Sequence, residues 1–81
     1  MKNIFVLGSN SFSGSSFVKY LLKKKYRVIA ISRSLENPQY YLPYDKKDKN
    51  KKFFKLQIGK DTEKIVKLIK KYRPIYIINY G

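Results

Sequence analysis

A segment bounded by two glycines, residues 8–14, has the residue types and spacing best suited to chemistry in this 81-residue sequence. It follows the apolar run at residues 4–7 and precedes a stretch with helical spacing of apolar residues. Backbone N–H groups at a helix N-terminus lack intrahelical partners, and the helix dipole favours an anion there. Gly8 can adopt a positive φ, and Gly14 lets the helix pack close against the sheet. The segment therefore predicts a phosphate cradle for a dinucleotide; the alternative is an ordinary strand-to-helix turn.

Two common phosphate-binding motifs do not fit this segment. A Walker loop needs four residues between its glycines and then Lys-Ser/Thr, whereas five residues separate Gly8 from Gly14, and Ser15 follows. The G-x-G-x-x-G pattern fails because Asn10 replaces its second glycine. The pattern G-x-x-G-x-x-G fits better, with Ser11 in place of the middle glycine. The Ser11 hydroxyl would then either contact phosphate or weaken its binding.

The end of the second predicted strand indicates which dinucleotide binds. An acidic residue at this position selects NAD through the ribose 2′-OH, whereas an arginine accommodates the 2′-phosphate of NADP. Here the sequence has Ser32, Arg33 and Ser34, and the first carboxylate after the strand is Glu36. A guanidinium offers paired donors to a phosphate. We therefore predict NADP in preference to NAD; the alternative is that Arg33 is one more charge in a basic chain.

The elements that must position these residues can be predicted from apolar runs and turn residues. Strands are predicted at residues 3–7, 27–31, 53–58 and 75–79, with helices at residues 15–25 and between Asp61, as its cap, and Pro74. Residues 35–52 read as a long surface loop. The order β-α-β-loop-β-α-β, with strands too apolar to be half exposed, predicts an α/β fold. We expect the first half of a Rossmann-type parallel sheet, with strand order 3-2-1-4.

Composition excludes several classes of function. The chain has no Cys and no His, so disulfide scaffolds, thiol nucleophiles, zinc ribbons and Ser-His-Asp catalysis are ruled out, and no metal site is predicted. The longest apolar runs are four residues, far below the roughly 20 that a spanning helix needs. No secretory signal is recognisable, so a cytoplasmic location is expected. One domain of 81 residues is too small for a large enzyme with an enclosed site.

The sequence resembles the extended short-chain dehydrogenase/reductase family of nucleotide-sugar epimerases and dehydratases. Residues 4–14 look like that family's first strand, glycine turn and helix start, with Phe12 and Ser13 before the last glycine. Residues 27–34 resemble its second strand, and residues 73–79 resemble its Pro-Asp-hydrophobic-Asn fourth strand. The similarity covers the whole chain, which implies that residues 1–81 are the N-terminal half of a dinucleotide-binding domain.

The resemblance implies which residues contact the cofactor. They are Gly8, Ser11, Phe12, Ser13, Gly14, Ser32, Arg33, Ser34, Gln57, Tyr80 and Gly81. The residues of the glycine turn would hold the pyrophosphate, chiefly by backbone, and those after the second strand would hold the 2′-phosphate. Gln57 stands where the family places an Asp that contacts adenine, although a solvent-facing strand residue is nearly as good a reading. The last two residues resemble the segment along the adenosine.

The resemblance also implies what this chain lacks. The family's catalytic Ser/Thr and Tyr-x-x-x-Lys lie beyond the fourth strand, so no catalytic residue is predicted and a nucleotide sugar would bind only a complete chain. Tyr20 and Lys24 do spell Tyr-x-x-x-Lys, but they fall on the first helix and read as a coincidence. In a complete enzyme the cofactor would take a hydride from the sugar, and the tyrosine would handle the proton.

Two other interpretations remain open. The formal net charge of +14 comes from 19 Lys+Arg against 5 Asp+Glu, which suits a small basic protein that binds nucleic acid. Aromatic residues near the lysines, at positions 40–41 and 53–54, could then stack on bases. AT-rich codons would produce the same composition without any ligand. A truncated product is the other interpretation, and it predicts an uncovered apolar sheet edge with weak stability in isolation.

Overall fold

The apolar runs form strands in the computed structural model, which describes residues 2–80. The elements are β1 (Asn3–Leu7), α1 (Phe12–Lys23), β2 (Arg27–Ser32), β3 (Lys51–Lys55), α2 (Thr62–Tyr72) and β4 (Tyr76–Asn79). All paired strands are parallel, and their order in the sheet is β3-β2-β1-β4. This confirms the α/β class, the Rossmann-type half sheet and the strand order expected from the sequence.

The two central strands are buried on both faces, as their continuous apolar runs predict. Side chains alternate between the faces of the sheet, so β1 and β2 contribute to two separate core clusters. On the α1 face, Ile4 and Val6 pack with Val28 and Ala30. On the α2 face the corresponding buried residues include Phe5. The carboxyl ends of β1 and β2 are therefore fixed by packing from both sides.

The third strand lies earlier in the sequence than expected. It spans Lys51–Lys55, not residues 53–58, so part of the charged segment assigned to a loop is strand. Lys51 and Lys52 pair with Val28 and Ile29 of β2, and the final bond of this edge joins the Leu56 N–H to the Ser32 carbonyl at 2.9 Å. Pairing with a buried neighbour decided the strand bounds here, whereas the apolar pattern located only its second half. The rest of the segment contains a 3₁₀ turn at Gln39–Tyr41.

The first helix begins at Phe12, three residues before the expected start at Ser15. Ser11 explains the difference because its hydroxyl caps the helix by accepting from the Gly14 N–H at 3.0 Å. The second helix was expected to have Asp61 as its cap, but the Asp61 side chain makes no cap bond. Its carboxylate instead accepts from the Gln57 N–H at 2.8 Å, so that prediction was wrong.

Strand β4 is an edge strand and is far less buried than β1. Tyr76 and Ile77 are 65% and 48% exposed, and α2 has no fully buried residue. The expectation that the strands are too apolar to be half exposed is therefore wrong for β4 and also for β3, the two edge strands of the sheet formed by the described residues. Within residues 2–80, no helix combines the length and the apolar character that crossing a bilayer would require.

Candidate nucleotide-binding cleft

A cleft of about 730 Å³ opens at the carboxyl ends of the strands, where ligands bind in open α/β sheets. Its lining consists of Leu7, Gly8, Asn10, Ser11, Ile31, Ser32, Arg33, Ser34, Asn37, Leu56, Gln57, Ile58, Asn79 and Tyr80. Every strand of the sheet is thus followed by residues of this cleft. The volume falls within the range of small-molecule and cofactor sites.

Most of the residues predicted from the sequence meet in this cleft. Those along its wall are Gly8, Ser11, Ser32, Arg33, Ser34, Gln57 and Tyr80. Phe12, Ser13 and Gly14 lie in the first turn of α1, beside the cleft but outside its lining. Phe12 is 89% exposed, so the fold fixes the position of its backbone but not that of its side chain. Gly81 lies outside the described residues.

The turn after β1 has the backbone geometry that the sequence predicted for its first glycine. Gly8 has a φ of 76°, a left-handed conformation that glycine adopts without strain. The Gly8 and Ser9 N–H groups both donate to the Ile31 carbonyl, at 2.8 and 3.2 Å. This pair of bonds joins the turn to the end of β2. The base of the cleft is therefore fixed by backbone bonds between neighbouring strands.

A glycine is required at position 14 because the backbone there lies close to Gly8, and not to the sheet as expected. A Cβ at this position would lie 2.3 Å from the Gly8 carbonyl oxygen and 2.9 Å from the Ser11 Oγ. We expected a close contact between the helix and the sheet, whereas the contact lies between the helix and the turn that precedes it. Without a Cβ, the first turn of α1 can fold back over Gly8. A tight cradle of this kind suits a diphosphate.

The Ser11 hydroxyl forms hydrogen bonds within the turn, a role that neither alternative from the sequence included. Its hydroxyl donates to the Gly8 carbonyl at 2.9 Å while it accepts from the Gly14 N–H. The Oγ is thus committed to closing the turn. The hydroxyl was expected either to contact phosphate or to obstruct it, but here it stabilises the helix start.

Other backbone donors of the turn stay available for a ligand. Among residues 2–80, the N–H groups of Asn10, Phe12 and Ser13 donate to no protein acceptor. Two of them lie in the first turn of α1, whose dipole places partial positive charge there. Unpaired N–H groups at the start of a helix bind anions such as a pyrophosphate. The residues present therefore fit the diphosphate of a dinucleotide.

Glu36, the first carboxylate after β2, points away from the cleft. Its Oε2 accepts from the Tyr44 hydroxyl at 2.6 Å and lies 2.5 Å from Lys51 Nζ, in a largely buried ion pair. Burial of the Tyr44 side chain, reinforced by its hydrogen bond to Glu36, raises the pKa of the Tyr44 hydroxyl above its ordinary value. Lys51 also lies over the Tyr44 ring, 5.3 Å from its centroid. The carboxylate therefore anchors the segment after β2 to the α1 side of the sheet.

Arg33 and Gln57 lie on exposed turns at the cleft edge. Arg33 forms no ion pair among the described residues, so its guanidinium is free to meet an anion. Gln57 is placed by its backbone, since its N–H donates to Asp61. On the other side, the Tyr80 N–H donates to the Leu7 carbonyl at 2.7 Å, and its ring packs on Phe17.

Sequence reasoning missed two asparagines and the apolar floor. Asn10 and Asn37 line the cleft and are hydrogen-bonded to each other's loops. Asn10 was noted only as a mismatch to the glycine motif, and no pattern marked Asn37. Leu56 and Ile58, assigned to a strand, follow β3 and form an apolar wall of the cleft. Their alternation with polar residues is typical of a strand, but β3 ends at Lys55.

Two features considered in the sequence lie elsewhere. The Tyr20 ring stacks on Phe17 with Lys24 Nζ 5.6 Å from its centroid, and neither Tyr20 nor Lys24 lines the cleft. Phe53 and Phe54 pack against the core clusters on opposite faces of the sheet. They are therefore not exposed platforms for bases.

Comparisons of the sequence and of the structure with known proteins both find epimerases and dehydratases. The sequence model of the NAD dependent epimerase/dehydratase family matches residues 4–81. The structure is similar to dTDP-glucose 4,6-dehydratase from Bacillus anthracis in complex with NAD, with 26% identity and a TM-score of 0.83 over 100% of this chain and 27% of that one. It is also similar to UDP-glucose 4-epimerase from Thermotoga maritima with UDP-glucose, with 25% identity and a TM-score of 0.77 over 98% of this chain and 24% of that one.

The curated proteins searched contain no match to the sequence. The chain spans about a quarter of the length of the solved structures to which it is similar.

Proposed function

The chain belongs to the NAD dependent epimerase/dehydratase family, and we propose that residues 1–81 are the cofactor-binding N-terminal half domain of an enzyme that acts on nucleotide sugars. The similar dehydratase was solved with NAD and the similar epimerase with UDP-glucose, which supports a dinucleotide and a sugar nucleotide as ligands of a complete chain. We further propose that the cofactor is NADP and that residues 1–81 bind it without catalysing a reaction.

One observation carries the proposal: unpaired amides and an unpaired guanidinium flank the same cleft. The N–H groups of Phe12 and Ser13 lie at the helix start beside it, and Arg33 lies on its wall. NADP needs both, since its diphosphate and its 2′-phosphate are separate anions. No Asp or Glu is among the described residues of the lining. The cleft therefore favours a phosphate over a hydroxyl at the ribose 2′ position.

The position of Glu36 supports the choice of NADP. Selection of NAD needs a free carboxylate after β2 to accept from the ribose hydroxyls. Here that carboxylate already accepts from Tyr44 and pairs with Lys51. Turning it towards the ribose would leave a buried lysine without its partner, which is costly. Arg33 then provides the dominant charge at this end of the cleft.

The remaining cleft residues have roles suited to the rest of the cofactor. Leu56 and Ile58 offer an apolar wall for the adenine, and the Gln57 side chain offers both a donor and an acceptor. Tyr80 closes the opposite side. When bound, the dinucleotide supplies a hydride acceptor. The described residues bind and orient it, and we assign the proton-transfer groups to parts of a complete chain outside residues 1–81.

Titration calorimetry with NADP and NAD at fixed ionic strength tests the proposal. The unmodified chain is expected to bind NADP more tightly, and Arg33→Ala to weaken NADP by about tenfold while leaving NAD nearly unchanged. Arg27→Ala is the matched control, because Arg27 lies at the opposite end of β2 and carries the same charge. Equal affinity of the unmodified chain for the two dinucleotides would remove the NADP assignment. Absence of binding to either would remove the proposed function.

A further inference from the structure

Asn10 connects two loops that are far apart in the sequence, and we propose that it is a positioning residue for the 2′-phosphate subsite. It would hold the turn with Arg33 and Ser34 in register with the glycine turn, so that the subsite presents hydrogen-bond donors. This inference rests on the proposed function, because the subsite exists only if a dinucleotide binds. Nothing in the glycine motif assigns such a role to its third position.

The connection consists of hydrogen bonds in both directions. The Asn10 Nδ2 donates to the Leu35 carbonyl at 2.6 Å and to the Ser34 Oγ at 3.0 Å. The Asn10 Oδ1 accepts from the Asn37 N–H at 3.2 Å, and the Asn37 Nδ2 donates back to the Asn10 carbonyl at 3.3 Å. We refer to these four bonds as the asparagine clasp. The first three engage the nitrogen and the oxygen of the Asn10 side-chain amide without a ligand, and the fourth uses the Asn10 backbone carbonyl.

The chemistry of the partners fixes the orientation of the Asn10 amide. A backbone N–H can only donate, so the atom facing the Asn37 N–H must be oxygen. A backbone carbonyl can only accept, so the atom facing Leu35 must be nitrogen. Rotating the amide by half a turn would place donor against donor and acceptor against acceptor. The clasp therefore has one arrangement.

That arrangement determines what Ser34 can offer to a ligand. The Ser34 Oγ accepts from Asn10, and its own hydrogen has no acceptor among the described residues. The free hydrogen can be donated towards the cleft, beside the guanidinium of Arg33. A phosphate group only accepts at neutral pH or close to it, so it matches two adjacent donors. A ribose hydroxyl can use such donors less fully, because it carries a hydrogen of its own.

The clasp also complements the bonds at the base of the cleft. Gly8 and Ser9 tie the glycine turn to Ile31 inside the sheet, whereas the clasp ties the outer parts of the same two loops. The diphosphate and the 2′-phosphate of NADP would both be held between these attachments. Loss of the clasp would leave the diphosphate cradle in place but release the turn that carries Arg33. We therefore expect its loss to affect NADP more than NAD.

A double-mutant cycle tests this role with the full chain. Asn10→Ala is expected to lower the ratio of NADP to NAD affinity by about fivefold, measured by calorimetry. In the Arg33→Ala background the same substitution is expected to change that ratio by less than about twofold, because the turn no longer carries its charge. A residue needed only for folding would weaken both dinucleotides equally in both backgrounds, and that result would overturn the inference.

Two further measurements keep the test decisive. Hydrogen exchange of the Asn37 amide without dinucleotide is expected to be slow in the unmodified chain and faster in Asn10→Ala; equal rates would overturn the clasp. If Asn10→Ala fails to fold by circular dichroism, Asn37→Ala removes one bond of the clasp and is expected to shift the affinity ratio in the same direction. An unmodified chain that binds NADP, with no shift in either variant, overturns this inference alone. A chain that binds no dinucleotide overturns the proposed function as well.

Discussion

The two strand-to-helix turns of this chain share a glycine with positive φ and differ in the rest of their structure. The first turn, residues 8–14, runs from the end of β1 into the start of α1, and the second turn, residues 56–61, joins β3 to α2. Each contains a glycine with positive φ, 76° at Gly8 and 88° at Gly59. Only the first turn has a second glycine, Gly14, whose missing Cβ lets the helix start approach the Gly8 carbonyl. A glycine between a strand and a helix is therefore insufficient to build a phosphate cradle.

The space around the glycines separates the two turns most clearly. An added Cβ at Gly14 would lie 2.3 Å from the Gly8 carbonyl oxygen, while at Gly59 nothing lies within 4 Å. Gly59 is favoured because its φ is positive, whereas Gly14 is required because its backbone lies against the Gly8 carbonyl. The cradle therefore depends on the close approach of Gly14 to the Gly8 carbonyl. The buried strands β1 and β2 hold the turn in the position that this approach requires.

Helix capping also differs between the two turns. Ser11 caps α1 with its hydroxyl, and the cap also closes the turn on Gly8. Asp61 precedes α2 without capping it and instead accepts from the Gln57 N–H. The first turn thus organises the helix start, while the second organises the end of the preceding strand. Each arrangement serves the cleft from a different side.

Alanine substitution of the glycines should show the largest contrast between the turns. We expect Gly14→Ala to lower the free energy of unfolding by about 3 kcal/mol, because its Cβ would overlap a carbonyl that the sheet holds in place. Gly59→Ala should cost only about 1 kcal/mol, since the position is open and the penalty comes from its positive φ. Urea denaturation followed by circular dichroism measures both values. Equal costs would show that the crowding at Gly14 is unimportant.

Removing the two caps should give a smaller contrast in the same direction. Ser11→Ala is expected to lower the free energy of unfolding by about 1 kcal/mol, since α1 loses a capping hydroxyl. Asp61→Ala should cost less, because α2 has no side-chain cap to lose and the bond to Gln57 is exposed. The same denaturation experiment compares them. A larger loss from Asp61→Ala would mean that the second turn is the better organised of the two.

The parts of the fold that the sequence predicted best are those with strong, local signals. Strand β1 and the start of β2 follow from apolar runs that burial on both faces requires. The positive φ of Gly8 and the Arg33 position on the cleft follow from residue type and from the topology that brings strand ends together. Strand order followed from the match of the β-α-β-loop-β-α-β succession to the first half of a doubly wound sheet.

The missed features depend on contacts that no local pattern encodes. Lys51 belongs to a strand because β2 needs a partner, despite its place in a charged run. The asparagine clasp joins Asn10 to residues about 25 positions away, and only the paired strand ends bring them together. For Lys51 and for the clasp, tertiary proximity outweighed local preference. Asp61 has the position of a cap, but its carboxylate accepts from the Gln57 N–H, four residues earlier in the chain.

Amide chemical shifts during titration with NADP test the central claim most directly. The account predicts that, in the ¹⁵N-labelled chain, the largest changes fall on Gly8, Asn10, Phe12, Ser13 and Arg33, while the amides of residues 59–62 change little. Inorganic phosphate at the same ionic strength is the control for nonspecific charge. Changes centred on the lysine-rich segments, or on the second turn, would contradict the claim that the first turn cradles the diphosphate.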